Sequence, residues 1–474
     1  MKKSAAVAAE SQSVTSSLTQ IAEFVIKEGK RLGATECDVR VSSSNSVETG
    51  VRLGEVETLE GAQSRSLQFE AFVAADSAAG ADDSANTDSS KDKPVAGMKS
   101  ASTSTSDFRR PALTELVRTT IAMATASEAD PFAGLVEARY LASSIPDLQL
   151  SDPTIARITT EEKIQIALTA EQAARSFDER ITNSRGASFT DWSGTTVYAN
   201  SHGFVGSYTS THCSISCAVV ASAESEMQVG GWSSGALGYG KLETPEQVGS
   251  TAAKRALRML GARKVKSQMV PVVFDPLMAA TLLAQFVGAA AGSHVYRNSS
   301  FLAGKLNEIV ASELVTIIDD PLMIGGLGSR PYDGEGMPAK KRTIVENGRL
   351  ATYLLSGYSA RKLKTEPNGG STGNLHFAPG ASTADDIIAS VSNGLYLTSV
   401  SGPGFNVVTG DYSRGASGLW IENGKIVFPV EGITIASNML EMFKAIEAVG
   451  NDLIFRSSTC SPTIKIGAMM VAGD

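Results

Sequence analysis

Gly410-Asp411-Tyr412-Ser413-Arg414-Gly415-Ala416-Ser417-Gly418-Leu419-Trp420-Ile421-Glu422-Asn423-Gly424-Lys425-Ile426 decides how the second half of this chain is read. Its first part holds an acid, a phenol, an arginine and glycines at 410, 415 and 418. Glycine has no Cβ, so backbone can approach other backbone or a ligand closely there. No Gly-Lys-Ser/Thr ending follows, so the run is not a phosphate loop. Leu419 to Ile426 then sets Asn423-Gly424 between two apolar, strand-like pieces. That dipeptide accepts positive φ at both positions, which a type I′ hairpin requires. Ile344-Val345-Glu346-Asn347-Gly348-Arg349-Leu350 repeats the pattern. Helical patterns fall at 275–291, 383–390 and 440–449. With no regular strand–helix–strand alternation, the class is α+β. The expected architecture is an N-terminal α+β domain with extended antiparallel strands and a C-terminal strand-rich domain with interspersed helices.

Working outward, Leu18, Ile21, Ala22, Val25 and Leu32 recur at helical spacing, predicting a helix over 15–31 that stops at Gly33. Short strands are expected at 38–42, 47–53, 56–59 and 67–73, with turns or bulges at Gly50 and Gly54. Residues 76–105 are rich in Ser, Ala, Asp and Lys and hold no aromatic. Such a segment buries too little apolar surface to offset its ordering entropy, and it is expected to be a disordered insert. A helix should follow at 108–126. Thr159-Thr160-Glu161-Glu162 is a capping-box pattern opening another helix. Long alternating strands cover 187–220, with turn signals at Ser193-Gly194 and His202-Gly203. Gly230, Gly231, Gly235, Gly238 and Gly240 read as a connector, and a helix runs from Pro245 to about Leu260. The expected domains are 14–126, 130–240 and 245–474.

The chain has 474 residues, a net charge of −8 and a pI near 5.3. That is long enough for a large core and for more than one domain. There is no long Lys/Arg block, so a nucleic-acid-binding surface is not expected. The first ten residues lack a secretory apolar stretch, and no run reaches the ~18 apolar residues of a membrane span. The cytoplasm is the expected compartment. Of the four cysteines, Cys213 and Cys217 share one face of a strand about 13 Å apart at ~3.3 Å per residue, too far to bridge. Buried thiols are the expected state. No nucleophile elbow accompanies the four histidines, His202, His212, His294 and His376. His202 is read as a turn histidine bonded to backbone.

The Gly410–Gly418 run closely resembles the C-terminal signature of the TldD/PmbA family, also called modulators of DNA gyrase. Val295-Tyr296-Arg297-Asn298-Ser299-Ser300-Phe301-Leu302, Tyr332-Asp333-Gly334-Glu335-Gly336, Ser356-Gly357-Tyr358-Ser359-Ala360-Arg361-Lys362-Leu363 and Gly450-Asn451-Asp452 look like its TldE/PmbA branch. Ala199-Asn200-Ser201-His202-Gly203-Phe204 is similar to a further family motif. The resemblance runs from about Gln20 to Gly473 and is strongest after Asp275. In the TldD branch, the counterpart of Leu282-Leu283-Ala284-Gln285-Phe286-Val287-Gly288-Ala289 reads Leu-Leu-His-Glu-x-x-Gly-His. The resemblance implies that the two histidines bind zinc and the glutamate is the general base. Here those positions are Ala284, Gln285 and Ala289. Alanine offers no lone pair to a metal, and glutamine cannot take a proton from zinc-bound water near neutral pH. Cys460 lies near the position of the branch's third ligand, but a catalytic zinc needs about three protein ligands. A site rebuilt from His294 and Cys460 would still lack a ligand and a base.

The resemblance therefore implies a subunit with no catalytic residue and no metal of its own. Zinc would sit in a TldD-like paralogue, the partner in a heterodimer that cleaves unfolded or leader peptides. The alternatives are a metallopeptidase in its own right and a non-enzymatic regulatory protein of the gyrase-modulator type. Tyr296, Arg297, Asp411 and Arg414 are the candidates for peptide or partner contact. For Asp411 and Arg414 an internal ion pair is the favoured reading. Arg361 and Lys362 either line a cleft or cap a helix C-terminus. Trp420 is expected in the core, and the helix carrying Gln285 is expected to be buried nearly all round.

Overall fold

The structure is a computed structural model and describes residues 2–75, 97–224 and 226–473. Three sheets organise it. The first takes β1 (Glu36–Arg52), β2 (Glu55–Ala74), β3 (Met98–Thr105), β4 (Ile181–Asn200), β5 (Val205–Ala223) and β6 (Glu226–Ala236) in the order β3-β2-β1-β4-β5-β6. Every pairing in it is antiparallel. Helices α1 (Lys2–Arg31) and α2 (Arg110–Ala126) cover Leu67, Phe69, Val39 and Val41 near one edge. Helices α3 (Thr160–Arg175) and α4 (Pro245–Leu257) cover Phe189, Ile215 and Val219 near the other. The regions expected at 14–126 and 130–240 thus contribute strands to one continuous sheet.

Several local expectations hold for the stated reason. Thr159 accepts from the Glu162 amide at 3.2 Å and Glu162 answers to the Thr159 amide at 2.7 Å, which closes the capping box of α3. Others need correction. The separate short strands expected at 38–42 and 47–53 are one strand, β1. The polar run Ser42–Ser46 is carried through because β2 and β4 pair its backbone on both sides. Ser193-Gly194 is no turn but lies inside β4. Gly194 makes room for the Trp192 ring, whose Cζ2 would stand 2.4 Å from an added Cβ. The glycines at 230, 231 and 235 belong to β6, not a connector. A Cβ at Gly230 would come within 2.1 Å of the Ala256 amide nitrogen, so this glycine lets α4 lie directly on the strand. The insert expected at 76–105 is also smaller: residues 98–105 are β3, paired with β2 from Leu67↔Thr105 to Ala74↔Met98. Residues 76–96 lie outside the described part.

The C-terminal half holds two sheets. Strands β7 (Gln268–Phe274), β8 (Ile317–Asp319), β9 (Arg342–Glu346), β10 (Arg349–Leu350), β11 (Leu375–Phe377), β12 (Asn393–Ser401), β13 (Asp411–Glu422), β14 (Lys425–Asn438), β15 (Ile446–Val449), β16 (Thr459–Cys460) and β17 (Ile464–Ala472) supply them. Their orders are β10-β9-β8-β11-β16 and β14-β13-β12-β7-β17-β15. Both Asn-Gly turns have the expected geometry, with φ of 46° and 80° at Asn347-Gly348 and 50° and 75° at Asn423-Gly424. Helices α5 (Pro276–Gly288), α6 (Gly292–Tyr296), α7 (Gly357–Leu363), α8 (Ala384–Ala389) and α9 (Met439–Lys444) interrupt them. The helix expected over 440–449 ends at Lys444, because Ile446–Val449 pairs with β17. The mixed, strand-rich α+β class is as expected. No described helix is long and apolar enough to cross a membrane.

Candidate functional site

Helix α5 begins where its sequence says it should. Asp275 accepts from the Met278 amide at 2.8 Å and Pro276 takes the first helical position, where no amide hydrogen is needed. One face carries Leu282, Leu283, Phe286 and Val287 into the core, and Phe286 stacks on Phe443 at 3.8 Å. The other face corrects the expectation of a helix buried all round: Leu277, Thr281, Ala284 and Gly288, at helical spacing, are exposed. Of the three positions that matter for zinc, Ala284 is on this outer face, Gln285 is half-buried and Ala289 is buried just past the helix. The Gln285 Oε1 is buried with no hydrogen-bond partner.

Helix α5 packs against β16, which brings Cys460 to the same neighbourhood. The Cys460 thiol is already engaged, accepting from the Arg456 amide at 3.3 Å and donating to the Ser457 carbonyl at 3.2 Å. Among the described residues no three His, Cys, Asp or Glu side chains gather into a metal-holding group. Two methyl groups, a neutral amide and one thiol do not fit a catalytic zinc, which needs about three donors and a base.

A cleft of about 740 Å³ lies between the first sheet and this end of the C-terminal half. Leu277 from α5 and Arg456 and Ser457 from the segment before β16 face it. Its floor is the sheet face opposite Cys213 and Ile215. Ser188, Ser216 and Ser233 are cross-strand neighbours there, as are Gly186, Ala218 and Gly231. These side chains are small, so an extended chain could lie close to the sheet. His212 also faces the cleft, and burial pushes its pKa below the usual imidazole range, favouring the neutral ring. The Arg456 guanidinium lies 4.8 Å from the Trp232 ring centre and pairs with Glu243.

A second, smaller cavity of about 180 Å³ sits where the 334–335 segment meets the first sheet. Asp38, Glu70 and Glu335 face it with Arg40 and Tyr198. Asp38 and Glu70 are direct cross-strand partners. Burial is the main cause that pushes Glu70 and Glu335 up to about 7 and Asp38 to about 6. Tyr198 donates to Asp38 at 3.0 Å and partly opposes the shift.

Two of the motifs that carried the family resemblance, 332–336 and 356–363, meet beside this cavity and form a joint between the halves. Arg40 donates to the Gly334 carbonyl at 3.0 Å, and Glu335 accepts from the Gly357 amide at 2.9 Å. Arg361 donates to three carbonyls of one loop, Phe132 at 2.7 Å, Gly134 at 2.7 Å and Leu135 at 3.1 Å. Tyr358 donates to Asp130 at 2.7 Å, and the Lys362 ammonium lies 4.1 Å from the Phe132 ring centre. Arg361 and Lys362 therefore neither line the large cleft nor act as simple helix caps. His202 fits its turn reading and adds a carboxylate contact: Nδ1 is 2.9 Å from the Val136 carbonyl and Nε2 3.1 Å from Glu36.

Of the contact candidates, Tyr296 packs edge-on against Tyr358 at 5.7 Å, with the exposed Arg297 stacked on it at 5.3 Å. This places both beside the joint. Asp411 and Arg414 do not form the expected ion pair. They are three residues apart on β13, and the two-residue period of a strand sends them to opposite faces. Asp411 instead accepts from the Thr409 hydroxyl at 2.6 Å, and Arg414 Nε is buried without a partner. The glycines of this run serve close backbone packing: a Cβ on Gly418 would stand 2.2 Å from the Tyr396 carbonyl oxygen. Trp420 is buried, as expected.

Residues 153–260 match the PmbA/TldA metallopeptidase central domain, and 267–473 the PmbA/TldA metallopeptidase C-terminal domain. The Metalloprotease PmbA of Escherichia coli O157:H7 is 34% identical over 448 residues, 94% of this chain and 93% of that protein. The chain belongs to the PmbA/TldD metallopeptidase family. The Metalloprotease PmbA homolog of Haemophilus influenzae is also 34% identical, over 96% of each chain. Among solved structures, a Bacteroides thetaiotaomicron protein named for modulation of DNA gyrase superposes with a TM-score of 0.86 at 27% identity, covering 96% of this chain and 98% of that one. TldE from Thermococcus kodakarensis shares the fold, with a TM-score of 0.77 at 20% identity over 96% of this chain and all of that one.

The family's motifs were legible in the sequence, but the cleft was not. Its floor was signalled by the alternation used for the cysteines. The pattern that turns Cys213 and Cys217 to one side turns His212, Ser214 and Ser216 to the other. The acids of the smaller cavity gave no local signal, since Asp38, Glu70 and Glu335 come from three distant segments.

Proposed function

We propose that this chain is the zinc-free subunit of a two-chain metallopeptidase, paired with a TldD-like paralogue that supplies zinc and base and cleaves unfolded or leader peptides. The observation that carries the reading is α5: the family fold surrounds it intact, while Ala284, Gln285 and Ala289 offer neither metal donors nor a base. An obligate pair needs the fold twice but the chemistry once. This chain's part is to wall the space in which the peptide lies, and its small-residue cleft floor suits an extended chain. The cytoplasm is the compartment this reading takes.

The test is reconstitution with the TldD-type chain of the same organism. Cleavage of an unfolded protein is expected only from the mixture, with zinc travelling with the partner. Replacing the partner's base glutamate should abolish it, while Gln285→Ala here leaves the rate unchanged. Chelator-sensitive cleavage by this chain alone, with stoichiometric zinc, would overturn the reading.

A further inference from the structure

Residues 55–66 of β2 stand apart from the rest of the sheet. On one side they pair with β1, from Arg52↔Glu55 to Ser42↔Ser66. On the other side β3 reaches only as far as Leu67. Among the described residues no strand takes the outer edge of 55–66. Both faces are bare as well: every residue from Glu55 to Ser66 is exposed except Thr58, which is half-buried. An added Cβ at Gly61 would meet nothing within 4 Å. Helices α1 and α2 stop covering the sheet at Leu67, and α3 and α4 cover β4, β5 and Val51 at the end of β1.

A long bare edge offers unpaired amide and carbonyl groups to another chain, and proteins usually shorten or cover such edges. This one also carries exposed apolar side chains, Val56 at 47% and Leu59 at 55%. They are three residues apart, so they lie on opposite faces of the strand. A single added peptide would satisfy the edge and leave both faces wet. A folded partner that contributes a strand and packs around it would cover all three. The stretch is acidic, with Glu55, Glu57 and Glu60 against Arg65, so the incoming strand should carry basic side chains. Glu57, with Gly50 and Val51 on β1, also lines the large cleft, so a strand added here would extend the cleft wall.

We propose that the outer edge of β2, residues 55–66, is a strand-addition surface for the partner subunit, docking an extended basic segment of the TldD-like chain. The inference rests on the paired-subunit reading above.

The test combines hydrogen–deuterium exchange with binding, using the full chain and the TldD-type chain of the same organism. Amides of 55–66 should exchange at least about tenfold more slowly in the complex. The surface variants Glu57→Lys/Glu60→Lys and Val56→Asn/Leu59→Asn should keep the circular dichroism spectrum and Tm yet weaken association by about tenfold or more. Wild-type association with fast exchange at 55–66, or unimpaired variants, would overturn the docking edge and leave the paired-subunit reading standing. No association of the wild-type chain would overturn both. Three results would give the edge to another occupant and so overturn the proposal. One is slowing by oxidised insulin B chain alone, which points to substrate. Another is slowing on self-association. The third is slowing in the lone chain that vanishes when 76–96 is removed.

Discussion

Helices α5 and α7 are both short, both begin at a side-chain N-cap, and both lie in the C-terminal half. Their polar groups are used in opposite ways. On α7, Gly357, Tyr358 and Arg361 each bond to another part of the chain, and four of those bonds reach the 130–135 loop. On α5, the one long polar side chain, Gln285, keeps a buried oxygen without a partner, and Ala284 faces outward with nothing to offer. The difference teaches what constrains each helix. Motif residues on α7 are explained by the joint they make, whereas the polar group on α5 joins nothing.

Breaking the joint should have the largest effect. Arg361→Ala removes three charge-assisted bonds to carbonyls and should cost about 2–4 kcal/mol in denaturant unfolding. A loss as small as that of a surface arginine would show that the joint does not hold the halves together. Next come the acids beside it. Glu70 and Glu335 have folded pKa values raised to about 7, against ~4.3 for an unfolded glutamate. The folded state therefore binds their protons more tightly. Stability from this source is present below ~4.3 and declines as pH rises to about 7, where the penalty is complete. Glu70→Gln should stabilise by roughly 1–3 kcal/mol at pH 8 and change little at pH 4, read from Tm at the two pH values. An equal gain at both would remove ionisation as the cause.

Tyr358→Phe probes a single bond of the joint, to Asp130, and should cost about 1 kcal/mol. The smallest effect belongs to α5. Gln285→Leu replaces an unpartnered buried oxygen with apolar volume, so unfolding free energy should hold or rise by up to about 1 kcal/mol. A clear loss would mean that the amide makes a bond in solution, and the contrast between the helices would narrow.

Much of this was written locally. The capping box at Thr159, the N-cap at Asp275 and both Asn-Gly hairpins needed only neighbouring residues, and each formed where its pattern lay. That Ala284, Gln285 and Ala289 offer neither a metal donor nor a base is a property of their own atoms and needs no neighbour to be read. Errors gathered where the deciding partner is remote. Glycine at 194 or 230 looks the same in a turn as beneath a tryptophan ring or a helix, and only the neighbour distinguishes them. Residues 98–105 resemble the insert before them and became a strand because β2 offered an edge.

The sequence by itself determined the family and the α+β class, since these rest on residue identity and short-range pattern. Only the tertiary structure decided that Arg361 clamps a loop more than two hundred residues away, that Asp38, Glu70 and Glu335 share one cavity, and that Asp411 and Arg414 part to opposite faces. Those outcomes depend on which distant segments pack together. Hydrogen bonds and charge interactions act over a few ångströms of space, whatever the separation along the chain.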